Sequence, residues 1–224
     1  MKITNDKAGP AYQSGPGPEN RGNTIVQEIY IVLTDTGTVL SKIIRRYTGC
    51  PLNHVSIAFD ERLGEMYSFG RVQQRNPFSG GFVKERAGEG LLKDAQCAVF
   101  RFRVTEDEHR RIRARILEIE RERDRYTYNF IGLIGVILNR EICRKRAYFC
   151  SQFVVAMLAS AGVKITDEPA WRTQARHFTQ SSQLEPVYKG ALREYVAPGN
   201  VVTISPRRGI RARLPRVPFR RAAS

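Results

Sequence analysis

Cys150 stands in the segment Tyr148-Phe149-Cys150-Ser151-Gln152-Phe153, where an apolar helical spacing begins. The first turn of a helix leaves N–H groups without partners and carries partial positive charge. Both favour a thiolate over a thiol and lower a cysteine pKa. The same N–H groups can hold the oxyanion that forms when a thiolate attacks a carbonyl. Arg144, Lys145 and Arg146 lie just upstream and add positive charge. Cys150 thus has the setting of a nucleophile; the plainer alternative is a small buried residue at a helix start. Cys97 falls inside a strand pattern and reads as packing, Cys50 sits in a turn and Cys143 in a basic link.

A nucleophilic thiol needs a base, and the chain has three histidines. His109 lies on a highly charged helical stretch and His177 in an irregular polar region. His54 opens a strand directly after a helix and a turn, a rigid setting that can aim its ring. The alternative for His54 is an ordinary structural histidine at a strand start.

The elements that must position this pair follow from periodicity. Ile25–Thr34 contains the run Ile29 to Leu33, which reads as a buried strand. Thr38–Tyr47 has helical spacing and is ended by Gly49 and Pro51. His54–Phe59 alternates, with His54, Ser56 and Ala58 on one face and Val55, Ile57 and Phe59 on the other. A turn over Asp60–Gly64 leads into a strand over Glu65–Phe69, which predicts a hairpin. Arg71–Gly90 is rich in glycine and polar residues and reads as one long loop. A strand over Ala95–Val104 precedes a capping box at Thr105 and Glu108 and a helix to about Asp124. Phe130–Leu138 reads as a short buried helix, Arg140–Arg146 as a basic link, and Ser151–Ala161 as the helix that Cys150 opens. Residues 174–196 show no clear pattern.

The 224 residues suffice for one well-packed domain, and 42% hydrophobic with 26% charged residues is an ordinary globular balance. Residues 1–24 are dense in Gly and Pro and are expected to form a flexible lead-in. Residues 25–198 then hold the domain, and 199–224 form a basic tail with seven arginines and no acid. The chain carries a net charge of +15, so the tail's +7 leaves +8 on the rest. Such a basic surface and tail suit contact with an anionic polymer or membrane. No stretch approaches the ~20 apolar residues that span a bilayer. No signal-peptide order opens the chain, so a cytoplasmic location is expected. There is no CxxC pair, phosphate loop or dinucleotide fingerprint, so neither a metal nor a cofactor is expected.

Four segments together carry a resemblance: Leu40-Ser41-Lys42-Ile43-Ile44-Arg45, Asn53 to Asp60, Met66-Tyr67-Ser68-Phe69-Gly70-Arg71 and Phe149 to Val154. They resemble the permuted papain-like amidases, the circularly permuted branch of the NlpC-type cysteine peptidases, with lecithin–retinol acyltransferase-like enzymes as more distant relatives. The likeness runs in order over residues 26–195. It implies an α+β fold, an antiparallel sheet packed against helices, with the active site between sheet and cysteine helix. It makes Cys150 the nucleophile and His54 its general base. A polar residue on the following strand would orient the imidazole. Ser68 falls nearest that position, with Tyr67 and Glu65 as close alternatives. Where relatives often carry Pro-Asp-Phe, this chain has Arg176-His177-Phe178. The implied activity is hydrolysis or transfer of an acyl group from an amide or ester through a Cys150 thioester, on a cell-wall peptide, a lipid or a protein. The competing expectation is a catalytically weak or inactive module that binds nucleic acid or anionic membrane through its basic surface and tail.

Overall fold

The computed structural model describes residues 25–72 and 79–197. The expected lead-in over 1–24 and the Arg-rich tail over 199–224 lie outside the described residues. Chain order is β1 (Val26–Thr34), α1 (Val39–Thr48), β2 (His54–Ala58), β3 (Met66–Arg71), β4 (Gly80–Glu85) and β5 (Gln96–Thr105). Then follow α2 (Glu106–Arg121), β6 (Thr127–Tyr128), α3 (Phe130–Ile137), β7 (Ala147–Tyr148), α4 (Cys150–Ser160), α5 (Ala175–Gln180), β8 (Glu185–Ala191) and α6 (Leu192–Tyr195). The protein is α+β: six strands form one antiparallel sheet in the order β4-β3-β2-β1-β5-β8, packed against helices. The short strands β6 and β7 pair in parallel beside it.

β1 lies in the interior of the sheet, which explains its unbroken apolar run. Ile29, Ile31 and Leu33 join the larger core on one face, where α2 contributes Ile112, Ile116 and Ile119 and α4 contributes Phe153, Val154, Met157 and Leu158. Tyr30 and Val32 join a second core on the opposite face, with Leu92, Leu192 and Tyr195. A strand buried on both faces has no polar positions to alternate with. Both helix caps read from sequence are present. Thr105 Oγ1 accepts from the Glu108 N–H, and a Glu108 carboxylate oxygen accepts from the Thr105 N–H. Gly49 ends α1 at φ 69°, a left-handed conformation that a side chain would strain.

Two regions depart from the sequence reading. The expected loop over Arg71–Gly90 contains β4, which pairs along the whole of β3. Its glycines, Gly80 and Gly81, hid the strand pattern. In the irregular stretch 174–196, β8 pairs with β5 through a register shift at Val99/Phe100, which breaks any simple alternation. The helix α3 forms as expected but is only partly buried. Gly132, Gly135 and Val136 face inward, while Ile131, Ile134 and Ile137 are exposed. A helix that is apolar all round gives no periodicity from which to read its covered face.

Candidate active site

α4 begins at Cys150, and its first turn is held in place from two sides. The Gln152 side-chain oxygen accepts from the Phe149 N–H at 3.4 Å, and the Ser151 hydroxyl donates to the Thr173 carbonyl at 2.7 Å. The Phe149 and Phe153 rings are fully buried beneath this turn. The thiol lies against the backbone where the chain enters β2. Its Sγ is 3.8 Å from the Asn53 carbonyl oxygen, and the N–H groups of Val55 and Ser151 are directed at it. Asn53 is itself tied down: its N–H donates to Thr34 O, and its side-chain amide donates to Ser41 O on α1 at 2.7 Å.

His54 follows, paired with Thr34 across the sheet. Its ring shares a hydrogen bond with the Cys150 sulfur. The other side of the ring is engaged by Glu85 of β4, with Nε2 to Oε1 at 2.7 Å. That leaves Nδ1 as the nitrogen facing the sulfur. The second carboxylate oxygen of Glu85 accepts from the Ser56 hydroxyl at 2.5 Å. Strand alternation and register put His54, Ser56 and Ala58, then Met66, Ser68 and Gly70, then Gly81, Val83 and Glu85 on one sheet face. Glu85 therefore reaches the ring from β4 across β3. Small residues on β3 make this reach possible: a Cβ at Gly70 would lie 3.3 Å from His54 Cε1 and 3.9 Å from Glu85 Oε1.

Ser68, the residue expected to orient the imidazole, does not do so. Its hydroxyl is fully buried and donates to the Val55 carbonyl at 2.7 Å, which fastens β3 to β2. The alternatives are also committed elsewhere. Tyr67 donates to Glu65, and Glu65 takes the guanidinium of Arg113. The orienting group is a carboxylate one strand further on, in the stretch read as loop. Its sequence signal was the short run Phe82-Val83-Lys84-Glu85 after the two glycines. A second residue missed from sequence is Tyr128. Its buried hydroxyl bonds the Cys150 sulfur. Its strand, β6, is two residues long, too short to carry a pattern. Gly80 makes room for it, since a Cβ there would sit 2.6 Å from Tyr128 Cβ.

The electrostatics of the pair are cooperative. Burial pushes the His54 pKa down, but the Glu85 carboxylate and the Cys150 sulfur outweigh it and raise it to about 10. Burial pushes the Cys150 thiol up, and the hydrogen bond and charge of His54, with the Val55 and Ser151 N–H groups, bring it below its ordinary value. The favoured state is thus a thiolate–imidazolium pair. Burial holds the Tyr128 phenol well above its ordinary pKa, so it stays a neutral donor. The other histidines stand apart from this cluster: His109 packs edge-on against Phe59, and His177 Nδ1 accepts from the Gln174 N–H.

Cys150 lies between two hollows of different character. One, of about 70 Å³, is lined by His54, Glu85, Tyr128, Thr36, Thr38 and Arg71, among others. The other, of about 230 Å³, runs between α1 and α3 and is mostly aliphatic. Among the described residues, no group of three or more His, Cys, Asp or Glu could hold a metal ion. Nor, among these residues, is any helix long and apolar enough to cross a membrane. The fold and site together define an α+β protein with a buried Cys–His–Glu constellation at a helix start. Comparison with protein-family models, curated proteins and solved structures gives no match.

Proposed function

We propose that this chain is a cysteine acyl hydrolase or acyltransferase of the permuted papain-like kind, acting on an amide or ester through a thioester on Cys150. The observation that carries this reading is the pairing at the start of α4. One buried thiol shares a hydrogen bond with an imidazole whose far nitrogen is held by a carboxylate. That is the arrangement of nucleophile, base and orienting group.

In the first half-reaction the Cys150 thiolate attacks the carbonyl carbon, and the C=O electron pair moves onto oxygen. The Ser151 and Val55 N–H groups and the Tyr128 hydroxyl, all directed at the sulfur, supply donors for that oxyanion. The tetrahedral intermediate collapses as the His54 imidazolium gives its proton to the leaving nitrogen or oxygen. The acyl group is left on sulfur and His54 is neutral. In the second half, His54 takes a proton from water, or from an acceptor alcohol or amine, as that group attacks the thioester. Collapse expels the thiolate and restores the starting pair. Glu85 does not move a proton; it holds the ring with Nδ1 toward the sulfur and stabilises the imidazolium at both stages.

The test is an activated aryl ester with intact-mass detection. A burst of phenol and a protein adduct of one acyl mass on Cys150 are expected, both lost in Cys150→Ala, with turnover down by about a thousandfold or more. Equal turnover in the variant would remove the thioester mechanism.

A further inference from the structure

The groove of about 230 Å³ beside Cys150 is built from two helices that leave apolar side chains uncovered. Ile43, Ile44 and Tyr47 of α1 face Leu133, Ile134 and Ile137 of α3 across it. Ile43 and Ile134 are each more than half exposed, at 56% and 52%. Single exposed aliphatic residues are ordinary, but facing rows on two helices are a surface that a ligand or partner covers. The Tyr47 hydroxyl donates to the Ile137 carbonyl at 3.1 Å and ties the two walls together.

Position relative to the chemistry says what covers it. Cys150 borders both the groove and the small polar hollow, whereas His54 borders only the polar hollow. His54 must reach the leaving group to protonate it, so the leaving group and later the attacking water occupy the polar side. The substituent on the other side of the carbonyl carbon is then directed into the groove. We propose that this groove binds an aliphatic acyl chain, so that the substrate is an acyl ester or acyl amide with a polar leaving group. The proposal rests on the thioester reading of Cys150.

Two experiments on the full chain separate this proposal from the reading beneath it. The first is a p-nitrophenyl ester series from acetate to decanoate, kept below micellar concentrations. Each added methylene is expected to raise kcat/KM by about fourfold, which corresponds to ~0.8 kcal/mol per buried methylene, until the chain outgrows the groove and the profile levels. Ile134→Asp sits on an exposed wall and is expected to cut the octanoate-to-acetate ratio at least tenfold. The second is equilibrium binding of a fluorescent undecanoate probe, displaced by decanoate and not by butyrate, and weakened in Ile134→Asp. A flat chain-length profile with turnover still dependent on Cys150 overturns the acyl groove and leaves the thioester reading standing. Probe binding of the expected kind without ester turnover keeps the groove as an aliphatic-chain site but removes the thioester reading and the substrate assignment that rests on it. Absence of both overturns both.

Discussion

Two cysteines are buried in this protein, and they have opposite characters. Cys97 lies in β5, paired with Thr34 on one side and Gly190 on the other. Burial dominates there and pushes its thiol up to about 12, against a single opposing N–H from Gly190. Cys150 is as fully enclosed, yet its thiol is brought down by His54 and by two backbone N–H groups. Burial alone therefore makes a cysteine inert, and a helix start with a charged imidazole reverses the sign. The surroundings differ in the same sense. Cys97 belongs to the core that holds Val32, Val99 and Leu192, and no charged side chain lowers its pKa, whereas Cys150 opens onto two hollows.

The largest expected effect comes from making the second thiol resemble the first. His54→Ala removes the imidazolium, so Cys150 should behave as a buried thiol with a raised pKa. Turnover of an aryl ester is expected to fall about a thousandfold, within the range lost with a general base. Near-native turnover in this variant would mean that His54 is not the base.

Glu85→Gln should act through His54 and be milder. The glutamine can still accept from Nε2–H, but its charge is gone. The His54 pKa then falls from about 10, because burial is no longer opposed by the carboxylate. The active pair needs the imidazolium, so activity is lost as pH rises through the His54 pKa. The alkaline limb of kcat/KM should move down by about one unit or more in the variant, with the loss approaching about tenfold only where pH exceeds both pKa values. An unmoved limb would assign Glu85 a purely structural place in the sheet. The smallest effect is expected at the comparison residue. Cys97→Ala should cost about 1 kcal/mol of stability, read by thermal unfolding, and change turnover less than twofold.

The contrast between these cysteines was partly legible in the sequence. Cys97 read as packing because it lies in an alternating strand, and Cys150 read as reactive because an apolar helical spacing begins at it. His54 was legible from its place at a strand start, and the antiparallel sheet from the clean runs of β1, β2, β3 and β5. Part of what stayed hidden has a local cause: residues whose neighbours are glycines or single turns. Glu85 lies on a strand that begins Gly80-Gly81, and those glycines are there to clear space for Tyr128 and the backbone at Tyr126. Tyr128 itself sits on a two-residue strand. Ser68 was placed on the adjacent strand, but its hydroxyl is consumed by the Val55 carbonyl. The carboxylate reaches over it from the next strand. A one-strand step of this kind is a matter of register, which local sequence does not record.

The most direct measurement is the pH dependence of iodoacetamide alkylation at Cys150, followed by mass spectrometry, with Cys97 of the same molecules as the internal reference. Cys150 is expected to label at a plateau rate well below pH 8.5, the ordinary thiol pKa, with Cys97 unlabelled throughout the native range. Labelling of Cys150 only as pH passes that ordinary value, or only when Cys97 also reacts, would contradict an ion-paired nucleophile at this site.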